Sequence, residues 1–477
     1  MGYETLLDPD LLAIAFRERG GLRADFVEIY AERSAASAMT MKDGRIVDAT
    51  SGRERGAGVR ARLGPTTGFS HTSTLSPTAV LRTVHEATAS LDPGRVPGTD
   101  ATDGCRAAGT DATDAADGSP DPRETDDAAD RSRHAELLHA VSDLAAAGTG
   151  KVVSVSAVLR GERRTSQVAN SRGVQVSGDT ARERLAVTVV VGAPSAPVSG
   201  RASLGLNTPA ARLTEEHVRS TVAEAVRRAH ARESAAPAPV GEMPVVLAPG
   251  TGAVLIHEAC GHGLEADHLT RRSSVFHDML GKRVGPPGLW LVDDASLSGA
   301  WGSFAFDDEG HDGRRTVLIE DGILVDFLWD EVHSLGRDGA APANGRRQNY
   351  QCLPMPRMSN LLVPAGDTAP QDIIADTAHG IYVARLGSGR VNTATGDFVF
   401  AAKEAYAIDR GRLGEPVADC SLIGNGPEVL RGIDAIGTDF ALGPPGTCGK
   451  DGQTLPVGYG QPTLRVRQGL RVGGTGR

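Results

Sequence analysis

The residues of this 477-residue chain that are best suited to chemistry lie in the stretch Val245–Asp267, which has the sequence VVLAPGTGAVLIHEACGHGLEAD. His257 and His262 offer imidazole nitrogens that bind transition metals, and Glu258 offers a carboxylate that can accept a proton. This combination is typical of hydrolases in which a metal ion activates water beside a carboxylate base. The stretch therefore indicates metal-dependent hydrolysis, with two unrelated structural histidines as the alternative.

The spacing of the two histidines differs from that of the familiar H-E-x-x-H motif. In that motif the imidazoles are four residues apart, about 40° around a helix, so both reach one metal ion. His257 and His262 are five residues apart, which is about 140° on the same geometry. Either the helix contains a π-bulge or is unwound near Gly261, which returns both rings to one face, or the two histidines are unrelated.

A catalytic zinc ion normally takes three protein ligands and keeps one position open, so a third ligand has to come from elsewhere. Cys448 is a candidate because it lies in the glycine-rich segment GTCGKDGQ, where a loop could approach a cation. Lys450 could help to keep that thiol deprotonated. Cys260 is a second candidate, although packing of the helix explains it more simply.

The remaining cysteines and the acidic residues near the motif have simpler interpretations. Cys352 and Cys420 have strand-like neighbours, which favours buried structural thiols. Glu265 and Asp267 are interpreted either as exposed or helix-capping residues, or as hydrogen-bond partners that orient a ligating histidine.

Two other catalytic motifs are excluded. A phosphate-binding P-loop around Gly449 and Lys450 would need a glycine where Pro444 stands and a serine or threonine where Asp451 stands. The chain also lacks the Gly-x-Ser-x-Gly sequence that presents a serine nucleophile.

The elements that must position the motif are a short strand, a glycine-containing turn and a helix. From Met243 onward, short runs of Val, Ile and Leu alternate with Gly, Pro, Asn and Asp, which is the pattern of a many-stranded antiparallel sheet or barrel. The predicted fold class is α+β, in which amino-terminal α/β layers precede a large antiparallel, barrel-like β domain that carries the metal-binding helix.

Four segments are predicted along the chain. Residues 97–133 contain no large apolar residue and carry ten acidic against four basic side chains, so they cannot bury enough surface to offset their ordering entropy. The predicted segments are an amino-terminal α+β domain (1–92), an acidic disordered insertion or linker (93–133), a middle α+β domain (134–233) and a β-rich domain that carries the histidine motif (242–477).

Periodicity and turn residues predict the elements of the first two domains. The predicted helices are 9–19, 77–91, 134–147 and 214–232. The predicted strands are 26–31, 38–42, 45–49, 58–63, 152–160, 163–170, 173–177 and 185–191.

The composition excludes several partners. The chain carries 50 Lys and Arg against 60 Asp and Glu, a net charge of −10, so it offers no basic field for nucleic acid. Gly, Pro and Ser interrupt the longest uncharged run, Leu185–Gly200, which argues against a membrane span. Five scattered cysteines and an amino terminus without a secretory pattern predict a cytoplasmic protein.

Several of these motifs together resemble the TldD/PmbA metallopeptidases, and in particular their TldD-like catalytic subunit. The resemblance extends over nearly the whole chain except the acidic insertion. It is carried by the following sequences: HEACGHGLEAD, GTCGKDGQTLPVGYGQPTLRV, PRMSN, GSGRVNTATGDFVFAAKEAY, LIGNGPEVL and, in the first domain, GVRARLGPTTGFSHT.

The resemblance implies a site and a function. It implies that His257, His262 and Cys448 hold Zn²⁺, that the helix is distorted between the histidines, and that Glu258 is the general base. It further implies hydrolysis of unfolded or extended peptides together with a PmbA-like paralogous subunit, or as a homodimer. The alternatives are hydrolysis of an amide in a small peptide-like metabolite and a non-catalytic assembly subunit.

Overall fold

The computed structural model describes residues 5–18, 24–91, 124–147, 152–193, 195–208 and 212–474. The helices are α1 Pro9–Glu18, α2 Pro77–Ala89, α3 Glu124–Ala147, α4 Glu215–Glu233, α5 Ala253–Ala259, α6 Ala266–Thr270, α7 Pro370–Ala375 and α8 Gly426–Gly432. The strands are β1 Phe26–Lys42, β2 Arg45–Leu63, β3 Thr66–Thr72, β4 Val152–Asn170, β5 Gln175–Val191, β6 Val198–Asn207, β7 Gly241–Glu242, β8 Val245–Leu247, β9 Leu291–Asp294, β10 Arg315–Glu320, β11 Ile323–Leu324, β12 Gly345–Arg346, β13 Met355–Pro356, β14 Asn360–Leu362, β15 His379–Val391, β16 Asp397–Asp409, β17 Arg412–Val417, β18 Cys420–Asn425, β19 Ile433–Ile436, β20 Ala441–Leu442, β21 Gly446–Lys450, β22 Gln453–Gln461, β23 Leu464–Val466 and β24 Leu470–Gly474.

The first half of the chain forms one antiparallel sheet of six strands in the order β3-β2-β1-β4-β5-β6. Pairing of β1 with β4 makes this sheet continuous across the two predicted amino-terminal domains. The prediction of separate short strands was wrong for β1, β2, β4 and β5, each of which is a single strand of 17 or 19 residues. Polar stretches such as Ser34–Ser37 interrupt the apolar pattern, but their backbones stay paired on both sides.

One face of the six-stranded sheet is covered by all four amino-terminal helices. Val27, Ile29 and Ala31 of β1 pack with α1 and α2, while Met39 and Met41 of the same strand pack with α3. Since successive side chains of a strand point to opposite faces, these odd-numbered residues all lie on the helix-covered face. The even-numbered residues of β1 therefore face the carboxyl-terminal domain.

The helices agree with the sequence in position, with one correction. Ser76 and Thr214 cap α2 and α4 through side-chain oxygens that accept backbone N–H groups. Helix α3 begins at Glu124 rather than at residue 134, so residues 124–133 are helical and not part of a disordered insertion. The other residues of the predicted insertion, 93–123, lie outside the described residues.

The carboxyl-terminal domain contains two large sheets and a curled half-barrel, which confirms the predicted α+β class. One sheet has the order β19-β23-β8-β15-β16-β18-β24-β7, and the other the order β11-β10-β9-β14-β22-β20 with β21 paired to β22. Most strand pairs are antiparallel, while β8 with β15 and β14 with β22 are parallel. Leu255 and Ile256 of α5 are buried in the shared core of both sheets.

The helix-free face of the six-stranded sheet meets the carboxyl-terminal domain through buried ion pairs. Arg60 lies between Glu28, at 2.7 Å, and Glu309, at 2.6 Å, and Arg347 contacts the other oxygen of Glu28 at 2.6 Å. All four side chains are at most 1% exposed. Among the described residues, no helix is both long and apolar enough to cross a membrane.

Candidate metal centre

A break in the helix brings the two motif histidines together. Helix α5 ends at Ala259, Cys260 leaves helical geometry with φ −126°, and a 3₁₀ turn follows over Gly261–Leu264. The rings of His257 and His262 then lie 5.3 Å apart, centroid to centroid. Of the alternatives for the five-residue spacing, the structure therefore has the unwound helix. A Cβ on Gly261 would come within 2.2 Å of the Met358 sulfur, so this break needs a glycine.

Cys448 reaches the histidines from the hairpin of β21 and β22. Asp451 and Gly452 form its two-residue turn with φ values of 46° and 77°, which is the left-handed geometry favoured by an Asp-Gly pair. The Cys448 sulfur lies 3.2 Å from His262 Nε2. One ligand atom from each of His257, His262 and Cys448 lies within 4.8 Å of the others, and all three residues are buried.

The strand position of Cys448 corrects the predicted loop. The segment is rich in glycine, but its backbone pairs with β22 from Gly446↔Val457 to Lys450↔Gln453. Arg357, which is fully buried, donates from Nη2 to the Cys448 carbonyl oxygen at 2.7 Å. The thiol is therefore held on a paired strand rather than on a free loop.

The electrostatics of the cluster favour a thiolate. Burial raises the pKa of Cys448, but the charge of His257 and hydrogen bonds from His257 and His262 lower it to about 4. His257 Nδ1 is buried and has no hydrogen-bond partner among the described residues. Two imidazoles and a thiolate are the ligand types that zinc prefers, and the remaining position would be open. The residues present therefore fit a zinc ion.

A second layer of charged residues orients His262. Glu265, which is fully buried, lies with Oε2 2.9 Å from His262 Nδ1. Lys450 donates from Nζ to Glu265 at 2.9 Å, to Asp267 at 2.7 Å and to the Pro356 carbonyl at 3.2 Å. Burial raises the pKa of Glu265, but Lys450 and His262 lower it well below its ordinary value.

These contacts decide between the interpretations of three residues. Glu265 and Asp267 are buried partners of the site, not exposed residues. Lys450 pairs with these two carboxylates, and the histidines rather than Lys450 lower the pKa of the Cys448 thiol. Glu265, Asp267 and His268 form a second group of possible metal ligands. The Lys450 ammonium already pairs with the two carboxylates of this group.

The other cysteines lie outside the cluster. Cys260 and Cys420 are buried free thiols, and burial raises the pKa of Cys420 to about 11. Cys260 packs in the core of the carboxyl-terminal domain, so packing is its role in the fold. Cys352 is buried but disulfide-bonded, so its interpretation as a free structural thiol was wrong. Distance along the sequence does not show which cysteines approach each other.

Glu258 is the accessible member of the motif. Its Oε2 lies 3.8 Å from His262 Nε2, and its side chain is 27% exposed, against 9% for His262. A carboxylate in this position contacts both the ligand cluster and the solvent side of the site. Water or a substrate can therefore reach it without a rearrangement of the core.

Tyr459 of β22 is a site residue that the sequence did not single out. Its ring centroid lies 6.5 Å from that of His257. Burial raises its pKa to about 12, so the phenol stays protonated and can donate a hydrogen bond. The sequence gave no signal that would have distinguished this tyrosine from the others. Strand β22 brings Tyr459 to the site, and the residue lies outside the histidine motif.

Family models match three successive parts of the chain. They describe PmbA/TldA metallopeptidase domain 1 at residues 27–91, the central domain at 118–233 and the C-terminal domain at 240–474. The TldD homologue of Haemophilus influenzae, named a metalloprotease, is 34% identical over 466 residues, which are 94% of this chain and 93% of the relative. The chain belongs to the PmbA/TldD metallopeptidase family. The predicted resemblance is confirmed.

Two further similar proteins are relevant to the metal and to the fold. A zinc metalloprotease TldD homologue from Saccharolobus solfataricus is 33% identical over 235 residues, 49% of this chain and 52% of that relative. The crystal structure of TldE from Thermococcus kodakarensis superposes with a TM-score of 0.73 at 18% identity, and covers 97% of this chain and 100% of its own. The second likeness shows that the two proteins share a fold.

Proposed function

We propose that this protein is a zinc-dependent peptidase that hydrolyses peptide bonds in unfolded or extended chains. The observation that carries the proposal is the convergence of His257, His262 and Cys448, whose ligand atoms lie within 4.8 Å of one another, beside the accessible carboxylate of Glu258. Three ligands and an adjacent base are the minimum that metal-assisted hydrolysis requires.

The roles of the residues follow from their positions. When bound, zinc would polarise the scissile carbonyl and lower the pKa of water toward about 7. Glu258 takes the proton of the attacking water and delivers it to the leaving amine nitrogen. Tyr459 donates its phenolic hydrogen to the substrate oxygen on which negative charge develops. Glu265 fixes the orientation of the His262 ring through Nδ1.

The hairpin that carries Cys448 supports an extended substrate. Because Lys450 and Gln453 flank a two-residue turn, the backbone groups of alternate residues point to β22, and those of Thr447 and Gly449 point outwards. Both outward residues are exposed, and neither forms a further backbone hydrogen bond among the described residues. A peptide that adds as a strand at this edge would lie next to the Cys448 ligand.

The proposed partner is a PmbA-like paralogous subunit, with a homodimer as the alternative. The fold shared with TldE supports this proposal because related folds can present matching surfaces to each other. A cytoplasmic location is part of the same proposal; the free thiols of Cys260, Cys420 and Cys448 support it, whereas the disulfide bond of Cys352 is unusual for that compartment.

Two variants test the function. We expect Glu258→Gln to retain zinc and to lose peptide hydrolysis by a factor of about 10²–10⁴, because only the base is removed. We expect Cys448→Ser to lose zinc, while Cys420→Ser, a matched change at a buried thiol outside the cluster, retains it. Metal content is measured by mass spectrometry of the purified protein, and cleavage with a peptide library. Wild-type turnover in Glu258→Gln, or unchanged zinc in Cys448→Ser, would contradict the proposal.

A further inference from the structure

Arg184 faces the metal centre from the amino-terminal sheet. On β5, Leu185 and Val187 pack with the helices, so Arg184 points to the opposite face, toward the carboxyl-terminal domain. Its cross-strand neighbour on β6 is Gly205, where a Cβ would come within 2.9 Å of Trp301 and Pro445. Trp301 in turn donates from Nε1 to the Gly446 carbonyl oxygen at 2.9 Å. Arg184 is therefore next to the hairpin of Cys448.

Arg385 approaches the same place from the carboxyl-terminal domain. It lies on β15 opposite Glu404 of β16. The Oε1 of Glu404 accepts from Arg227 at 2.7 Å and from the Tyr406 hydroxyl at 2.9 Å, while its Oε2 accepts no hydrogen bond among the described residues. Arg385 and Arg184 both have a buried Nε with no hydrogen-bond partner, and neither forms an ion pair among the described residues.

Tyr459 connects the two arginines to the reaction site. The charges of Arg184 and Arg385 lower its pKa and that of Glu258 raises it, against the larger effect of burial. Tyr459 and Gly205 also line a cavity of about 410 Å³ between β6, α4 and the carboxyl-terminal domain, which has room for part of a peptide. Geometry places Arg385 beside the same cavity wall: Thr251 and Tyr459 both line this cavity, and the Thr251 hydroxyl donates to the carbonyl oxygen of Ala384, the neighbour of Arg385, at 2.7 Å.

The surroundings of Arg184 add positive charge instead of compensating it. Arg160 stands directly opposite on β4, and like charges in that position are destabilising. Burial, followed by the charge of Arg201, lowers the pKa of Arg184. Partly buried cations without a counter-ion are costly, so an anion that binds here removes an unfavourable arrangement and gains charge-assisted hydrogen bonds.

We propose that Arg184 and Arg385 bind a carboxylate of the peptide substrate, so that the enzyme prefers peptides with a negative charge to one side of the scissile bond. This inference rests on the proposed function and adds a substrate class to it. The carboxylate is either an acidic side chain or the free carboxyl terminus. Arginine suits both because its planar group binds carboxylates through two parallel hydrogen bonds.

Binding is measured first, in the Glu258→Gln background and with the partner subunit where one is required. Fluorescent peptides with an amidated terminus and either Glu or Gln at one position test the side chain. Peptides without acidic residues, as free acid or amide, test the terminus. We expect Arg184→Met and Arg385→Met to weaken binding of one carboxylate form about tenfold, which corresponds to about 1.4 kcal/mol. Arg412→Met, at an exposed position of β17, is the control and leaves binding unchanged.

Hydrolysis by proteins with Glu258 intact gives the second readout. In Arg184→Met and Arg385→Met, the ratio of kcat/KM between the charged and the neutral peptide should fall about tenfold. Cleavage by the wild type without any preference for a carboxylate would overturn the arginine site and leave the peptidase function standing. Binding that depends on the carboxylate and on Arg184, without cleavage of any peptide, would overturn the peptidase function and leave the arginine site standing. Changed subunit assembly with unchanged peptide binding would overturn the site and assign these arginines to a protein interface.

Discussion

The helix-free face of the six-stranded sheet meets the carboxyl-terminal domain in two regions. The two regions differ in whether their arginines have carboxylate counter-ions. In the first, which we call the paired junction, Arg60 has Glu28 and Glu309 within 2.7 Å and Arg347 has Glu28 at 2.6 Å. In the second, beside the metal centre, Arg184 and Arg385 have no such partner among the described residues. The fully buried arginines at the domain junction have counter-ions, and the half-buried arginines next to the proposed catalytic residues do not.

The difference shows that burial of arginine alone does not indicate a binding site. A guanidinium whose charge is already balanced by carboxylates gains little from a further anion, so we interpret the paired junction as structural. An uncompensated guanidinium retains donors for an anion. The contrast predicts that variants in the first region change stability and that variants in the second change substrate selection.

The largest change in stability is expected for Arg60→Met in the paired junction. This variant leaves Glu309 buried without its cation, and Glu28 with Arg347 alone. We expect the free energy of unfolding to fall by about 3–5 kcal/mol, measured by urea denaturation. Adding Glu309→Gln to Arg60→Met should restore part of the loss, because a neutral side chain costs less to bury. A loss below about 1 kcal/mol would remove the distinction between the two regions.

A smaller effect is expected from the pH dependence of His311, at the solvent side of the paired junction. Burial lowers its pKa, but contact with Glu331 at 3.3 Å and the charges of Asp307 and Glu309 raise it to about 9. The folded pKa lies above the unfolded value of about 6.5, so the stabilising contribution is complete below pH 6.5. It decreases as the pH rises and is lost above about 9.

Because His311 is partly exposed, we expect a contribution of about 1–2 kcal/mol to the free energy of unfolding after solvent screening. Urea denaturation of the wild type and of His311→Gln at pH 6 and pH 9.5 measures it. The difference between the two proteins should be larger at pH 6. A difference that is equal at both values, or larger at pH 9.5, would contradict the assigned direction.

The smallest change in stability is expected for Arg184→Met beside the metal centre. No ion pair is broken, and the repulsion from Arg160 and Arg201 is removed. We expect the free energy of unfolding to change by less than about 0.5 kcal/mol, measured by the same denaturation as Arg60→Met. A loss comparable to that of Arg60→Met would mean that Arg184 holds the domains together, and the two regions would then be alike.

The motif could be predicted from the sequence because its chemistry is local. His257, Glu258 and His262 lie within six residues, and resemblance to a family added Cys448 as a proposed ligand. The form of the break at Cys260 could not be predicted, because a helix with a five-residue spacing between ligands can be either bulged or unwound. A Cβ at Gly261 would clash with the Met358 sulfur, and Met358 lies between β13 and β14, almost one hundred residues away in the sequence.

The junctions could not be predicted because their partners are far apart in sequence. Arg60 and Glu309 are separated by 249 residues, and neither has a neighbour in the chain that indicates the other. The long strands β1 and β2 were also missed, because their polar middle sections are held by pairing rather than by apolar burial. Sequence patterns report which residues are apolar, and not which backbone groups have found partners.

The proposed ligands His262 and Cys448 are 186 residues apart, and this separation has a consequence for the timing of activity. While the chain is being synthesised, the segment with both histidines emerges well before the hairpin with the thiol. Lys450, which joins Glu265 to the hairpin, emerges with that thiol. The proposed metal centre is therefore incomplete until the hairpin has been synthesised, so a growing chain that still lacks the hairpin also lacks the proposed peptidase activity.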